Sequence, residues 1–497
     1  MTRMRRFLPV FILLFFLMAC HAKKENNAAE LKEPPVSTQS GRELAATHCS
    51  RCHAFVPPEI LGKSNWKKVL PDMHERMGPI LAKADWQKIE QYFISQSPDS
   101  VAPPIRASKI RMGLGHFKYR ETTFSHRPAM TSLVKILPNN RGVVYSDAKG
   151  KNNVLTFLKP DLSENYSMRL ESTPIDFYEK GEELYLTMIG NGIFPTNARD
   201  GAVQRLVKNG SEKGFKSGNV AISNLQRPVS MAYGDLNKDG FEDVVACEFG
   251  NENGQLAWFE NNGRGGYDKH VLREKPGAVS AVMKDANRDG LMDIYVLMAQ
   301  ADEGVFLYMN KGSGKFEERR LLSFMPLNGS QHMELADFNK DGFDDIIYVC
   351  GDNADKTPIL KNYHGIYIFL NDGKSNFRQS YFYQMNGAYK ALARDYDLDG
   401  DLDIAAISFF PDYARYPEES FIYLKNKGNL KFEDYSFPEA TKGRWMTMDA
   451  GDMDADGDVD LVLGSFVHFL PLGDQTGLGQ KWLQEGPSVI VLENKIR

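Results

Sequence analysis

The chain is short of cysteine, has no excess of positive charge and offers no phosphate-cradling glycine loop, and each shortage removes a class of function. Of five cysteines in 497 residues, Cys49 and Cys52 are the only thiols between Cys20 and Cys247. A zinc site built on that pair would therefore lack further ligands at the usual spacing. Sixty Lys and Arg stand against 65 Asp and Glu, a formal charge of −5. Without Arg3, Arg5 and Arg6 of the amino-terminal leader the balance is −8, which argues against a nucleic-acid partner. No Ser/His/Asp arrangement stands out, and this ranks catalytic readings low.

What is present begins with Cys49-Ser50-Arg51-Cys52-His53. Two thiols and an imidazole at this spacing are what a c-type haem needs. On one helical turn residues three and four apart share a face, so Cys49 and Cys52 would form thioethers and His53 would be the proximal iron ligand. The motif occurs once, predicting one haem c per chain.

The leader supports this. Arg3, Arg5 and Arg6 precede the apolar run Phe7 to Met18, which ends in Leu17-Met18-Ala19-Cys20. This pattern is a signal peptide over 1–19 and not a membrane span. The last four residues resemble the lipobox of bacterial lipoproteins, which implies that Cys20 is lipidated and anchors the chain to the membrane. The implied location is the bacterial cell envelope, and His21 leans it toward the outer membrane. Residues 20–40, with Pro34-Pro35, read as a solvated tether.

A helical unit is expected over 41–97, with Ser64 and Asp85 as helix caps. It resembles a small class I cytochrome c. Trp66, Met73, His74 and Met77 lie on its middle segment. Met73 and Met77 share a helical face, and a Met seven residues after a Trp resembles the distal ligand of such cytochromes, which favours Met73 over Met77 or His74. Residues 98–116 then read as a linker.

From Thr131 onward the chain repeats itself. Asp235-Leu236-Asn237-Lys238-Asp239-Gly240-Phe241-Glu242-Asp243 leads into Val244-Val245-Ala246-Cys247, and related units start at Asp285, Asp337, Asp395 and Asp452, at intervals of 50, 52, 58 and 57 residues. Such periods suit four-stranded propeller blades. Positions one, three, five and nine supply side-chain oxygens, position seven a carbonyl, and glycine at six makes the turn, an arrangement suited to calcium. The ligand sets are Asp235, Asn237, Asp239, Phe241 and Asp243; Asp285, Asn287, Asp289, Leu291 and Asp293; Asp337, Asn339, Asp341, Phe343 and Asp345; Asp395, Asp397, Asp399, Asp401 and Asp403; and Asp452, Asp454, Asp456, Asp458 and Asp460. An EF-hand fails at position twelve, where Ala246, Val296, Tyr348, Ala406 and Leu463 replace the bidentate Glu.

These loops resemble the FG-GAP and VCBS families of calcium-binding β-propellers, although Phe-Gly-Gly-Ala-Pro itself is absent. Two units without the carboxylate ladder, Leu133 to Leu170 and Thr173 to about Ile222, bring the blades to seven over 117–497. The segment 117–124 would close the ring, since Gly115 to Glu121 resembles the outer strand Gly314 to Arg320. The fold class is therefore multidomain: a small all-α cytochrome c unit, then an all-β seven-bladed propeller with about five calcium ions.

Long loops opposite the calcium loops carry Phe409, Phe410, Tyr413, Tyr416, Phe469 and Trp482, which either form a recognition surface or pack within their own loops. The leading expectation is an exported, lipid-anchored electron-transfer protein whose propeller binds a redox protein or an extracellular ligand. The alternatives are an adhesion scaffold with a sensory haem, or a quinone-type dehydrogenase propeller, for which no quinone-docking signature is visible.

Overall fold

The computed structural model describes residues 34–496, apart from 107, 123–124, 149–151, 195, 211–213, 355–356 and 469–475. The leader and Cys20 lie outside the described residues. Three helices come first: α1 (Gly41–Cys49), α2 (Lys63–Met77) and α3 (Lys83–Gln96). Ser40 caps α1 in a reciprocal box with Glu43, satisfying two orphan amides. Neither Ser64 nor Asp85 caps its helix; Gly62 and Ala82 hold those positions. Asp85 is buried on the first turn of α3 and accepts from Ser37 N at 2.7 Å and Lys88 Nζ at 2.8 Å. An acid with nearby tertiary donors is worth more inside the first turn than as a local cap.

Leu44, Ala45, Leu61, Trp66, Leu70, Trp86, Ile89 and Phe93 form the core of the helices. Trp66 fixes its own rotamer by donating Nε1–H to Pro58 O at 2.7 Å and packing 4.3 Å from the Phe93 ring. Leu327 and Ile359, from two connections of the β-structure, pack against this same core.

Two short strands follow, β1 (Arg111–Met112) and β2 (Phe117–Glu121). Seven sheets then form seven blades, which starts at Thr131 and runs to Asn494. The second strand of every blade from three to seven is buried along its whole length. That is why those strands read as continuous apolar runs: they are covered by a blade on either side. One buried apolar cluster fills each junction between neighbouring blades, and the seventh joins Val134, Ile136 and Tyr145 of the first blade to Val462, Val489 and Val491 of the last. β2 is the outer strand of blade seven, antiparallel to Val489–Asn494 with Phe117 opposite Asn494. A closed ring leaves no inter-blade face exposed. β1 adds a parallel fifth strand to blade six, beside Phe432–Ser436. The segment expected as a linker is thus docked: Arg106 pairs with Glu419 at 2.8 Å and Asp434 at 2.6 Å, and Gly113 N bonds Ser436 O at 2.8 Å.

Candidate haem and cation sites

α1 stops at Cys49, and Arg51 N to His48 O and Cys52 N to Cys49 O, at 3.4 and 3.3 Å, tighten the chain into a turn. Cys52 and His53 therefore lie past the helix end instead of within it, because i to i+3 bonding takes over at the terminus. Both thiols are free; Cys49 is half-buried and Cys52 exposed. Burial, with the neighbouring Cys52, pushes the Cys49 thiol up. His53 Nδ1 lies 2.8 Å from Ala54 O. A carbonyl only accepts, so Nδ1 carries the proton and Nε2 keeps its lone pair for a metal, the arrangement that orients ligating histidines. Met73 and Met77 both pack against the core that Cys49 touches, as their spacing on α2 requires. His74 stacks on Trp86, with centroids 4.4 Å apart and planes 7° from parallel. His48 is half-buried, and its Nδ1 is a buried atom without a partner. These residues fit a covalent haem: two thiols, a correctly protonated proximal imidazole and two thioethers on one core.

The five acidic loops join first and second strands of blades three to seven. Position six is glycine at φ between 83° and 92° in every copy. Position four also holds positive φ, in Lys238, Arg288, Lys340, Leu398 and Ala455, although none is glycine. Such backbone costs about 1 kcal/mol per residue and persists where the surroundings demand it. The first Asp of each loop accepts from the amide of glycine six, as Gly240 N does to Asp235 at 2.9 Å and Gly400 N to Asp395 at 2.9 Å.

The ninth residue is different. Asp243, Asp293, Asp345, Asp403 and Asp460 are fully buried, and each accepts from the backbone amide of an asparagine ending the third strand: Asn261, Asn310, Asn371, Asn426 and Asn494, at 2.7 to 2.9 Å. In four blades the second oxygen takes the amide of loop position two; in blade six it takes the Tyr423 hydroxyl at 2.6 Å. Each asparagine also donates Nδ2 to the carbonyl of position eight. This Asp–Asn latch escapes a reading centred on ligand spacing. Its signal in the sequence is an Asn-x-Gly ending the third strand at Asn261, Asn310, Asn371 and Asn426.

The two richest loops bring three carboxylates each within 4.8 Å: Asp395, Asp397 and Asp399, and Asp452, Asp454 and Asp460. In both, the position-three carboxylate has a buried oxygen without a partner, Oδ1 of Asp397 and of Asp454. Converging oxygens, some unsatisfied, suit a hard dication. In blades three to five position three is Asn, whose Nδ2 already donates to the position-five carboxylate, for example Asn237 to Asp239 at 3.0 Å. Burial and the neighbouring carboxylates push Asp403 and Asp460 up to about 7 and Asp345 to about 6.

On the opposite face the expected recognition aromatics are largely spent inside. Phe409, Phe466 and Trp482 are buried. Arg444 lies over Phe409, 3.7 Å from its centroid, and Trp482 donates to Thr441 O at 2.8 Å. Phe410, Tyr413 and Tyr416 are half-buried, and Phe469 lies outside the described residues. An apolar loop that can bury its rings in its own base does so.

Residues 235–296, 285–348 and 395–463 match a family model of FG-GAP-like repeats, and residues 45–126 match a model of dihaem cytochrome c. The chain joins a cytochrome c-like segment to a propeller of FG-GAP-like repeats. The matched cytochrome segment carries Cys-x-x-Cys-His once, although the family's description counts two haems. No curated protein matches the chain. Among solved structures, the chain is similar to the N-terminal domain of Nup159, at 12% identity over 77% of this chain and 97% of that one with a TM-score of 0.42. It is also similar to a periplasmic gluconolactonase of Pseudomonas aeruginosa, at 11% identity over 61% and 83% with a TM-score of 0.42. Neither likeness speaks to what this chain binds or does.

Proposed function

We propose that this protein is an exported, lipid-anchored c-type cytochrome that passes electrons through one covalent haem, with a calcium-stabilised propeller serving partner or ligand binding. The observation that carries the reading is the Cys49–Cys52–His53 cluster at the end of a capped helix, within a segment similar to dihaem cytochrome c. Cys49 and Cys52 would hold the porphyrin edge, His53 Nε2 would bind iron from one side and Met73 from the other. The haem, when bound, supplies a one-electron carrier. The chain's part is to orient His53 through Ala54 O and to shield the ring with the Trp66–Phe93 core. A thioether on the distal side favours the reduced state.

The five loops would hold calcium and brace blades three to seven. Cys20 would carry the lipid, with the tether placing the helices at the cell-envelope surface. The partner is a redox protein or an extracellular ligand, and nucleic acid is not expected at a net negative charge. The test is the double variant Cys49→Ala/Cys52→Ala expressed in an exporting host. Haem stain retained after denaturation should vanish, and iron per wild-type chain should equal one; surviving stain refutes the assignment.

A further inference from the structure

The segment between the helices and the ring crosses the acidic loop of blade six. After Arg106, which is ion-paired to Glu419 and Asp434 of blade six and donates to the Tyr383 hydroxyl of blade five, the chain adds β1 to blade six, buries Leu114, and reaches β2 in blade seven. On that path Phe117 packs edge-on to Tyr396 and Tyr423, with centroids 5.9 and 5.8 Å away, and His116 packs edge-on to Tyr423 at 5.9 Å. Tyr396 is loop position two, between Asp395 and Asp397, and Tyr423 donates to Asp403. The arm therefore rests on the two aromatic rings tied to the blade-six carboxylates.

Two polar atoms here are unsatisfied. Asp397 has a side chain only 5% exposed; one oxygen pairs with Lys425, while Oδ1 is buried without a partner. His116 Nε2 is also buried without a partner, and the charges of Asp397 and Lys425 both act on its ring. Asp397 is also within 4.8 Å of the carboxylate atoms of Asp395 and Asp399. A cation there would satisfy the orphaned oxygen and fix the backbone of Tyr396, whose ring the arm packs against.

We propose that the blade-six loop is the cation site that holds the arm: a calcium-class dication on Asp395, Asp397 and Asp399 fixes Tyr396 and, through Phe117 and His116, seats the segment that carries the helical unit. This rests on the reading of the acidic loops as calcium sites. An occupied loop makes the docked arm the only well-packed state. An empty loop leaves three carboxylates repelling one another beneath it, and the arm opens more often. The helical unit then keeps its contact at Leu327 and Ile359 but loses its second attachment.

Hydrogen exchange of the haem-loaded full chain tests this, read on the peptide spanning 108–121, with bound calcium counted by metal analysis on the same samples. Full coupling predicts that exchange slows about 100-fold when calcium is raised from zero to 100 times its Kd. Asp395→Asn should keep the arm fast in calcium, whereas Asp285→Asn, the same position in blade four, should leave it slow. The far-UV spectrum of each variant establishes that the ring is folded. Bound calcium with a change below tenfold, or equal loosening by both variants, overturns the proposal alone. No bound calcium in any sample overturns both it and the reading beneath it.

Discussion

Asn310→Ala should be among the most damaging single changes outside the apolar core, and the structure gives its size. Asn310 is 1% exposed. Its Nδ2 donates to Leu236 O at 2.8 Å in the loop of blade three and to Met292 O at 3.0 Å in its own, and its Oδ1 accepts from Gly312 N at 2.9 Å. Alanine removes all three while its backbone amide still reaches Asp293. The bonds are worth about 1 kcal/mol each, with more where a buried carbonyl is left unpaired, so a loss of about 3 kcal/mol is expected. A ring of about 380 residues unfolds with an entropy near 0.8 kcal/mol/K, so melting should fall by about 4 °C. Urea unfolding followed by tryptophan fluorescence, in chelator so that cation binding does not enter, should show a lower midpoint at unchanged slope. Asn262→Ala, at the neighbouring residue of the same kind of turn in blade three, serves as the control. A loss below 1 kcal/mol for Asn310→Ala would show that the latch is incidental to the strand ends and does not clamp neighbouring blades.

Met73→Ala should remove the iron–thioether absorption band of the oxidised protein while Met77→Ala retains it; the opposite pair of spectra would move the ligand by one helical turn. Chelation should lower the melting temperature of the whole chain, and calcium should restore it where magnesium does not, since magnesium demands a stricter octahedron. In chelator, the carboxyls of Asp403 and Asp460, raised to about 7 by burial, hold their protons in the folded state where the unfolded chain has released them. Their contribution is therefore present below about pH 4 and is lost as pH rises through 7. Asp403→Asn should flatten that part of the melting-temperature profile between pH 5 and 8, and an unchanged slope would count against the raised carboxyl.

Blades three to seven were legible because two signals agreed: an interval of 50 to 58 residues and a fixed ladder of Asp around one glycine. Either alone is ambiguous, since Asp-Gly turns occur in any hairpin. The helix starts were less legible. Ser64 and Asp85 are good capping residues, yet Gly62 and Ala82 begin the helices, because tertiary donors claim Asp85 from a residue 48 positions away. The latch asparagines were hidden for a similar reason. Their partners lie 17 to 34 residues upstream, a separation that no local pattern reports. The burial of the aromatic loops was left open by the sequence: composition shows that Phe409, Phe466 and Trp482 are large and apolar, but not that Arg444 and the neighbouring loops cover them.

That burial changes where specificity can reside. Rings enclosed in their own loops stabilise the face but cannot anchor a partner, because an anchor must exchange water for the partner on binding. Leu327 and Ile359 are also committed, since they pack beneath the helices. On the helical unit, by contrast, Arg51 and Cys52 remain exposed at the turn after α1. For the proposed haem, an electron would enter or leave near this edge, and among the described residues no loop of blades six or seven shares its packing cluster. Besides any partner binding, the propeller of the proposed cytochrome would then act on electron exchange through attachment. On the proposal above, the packing of Leu327 and Ile359 under the helices and the docked arm together would set which direction the Cys52 edge faces, and the acidic loop under the arm would be the point where a cation alters that setting.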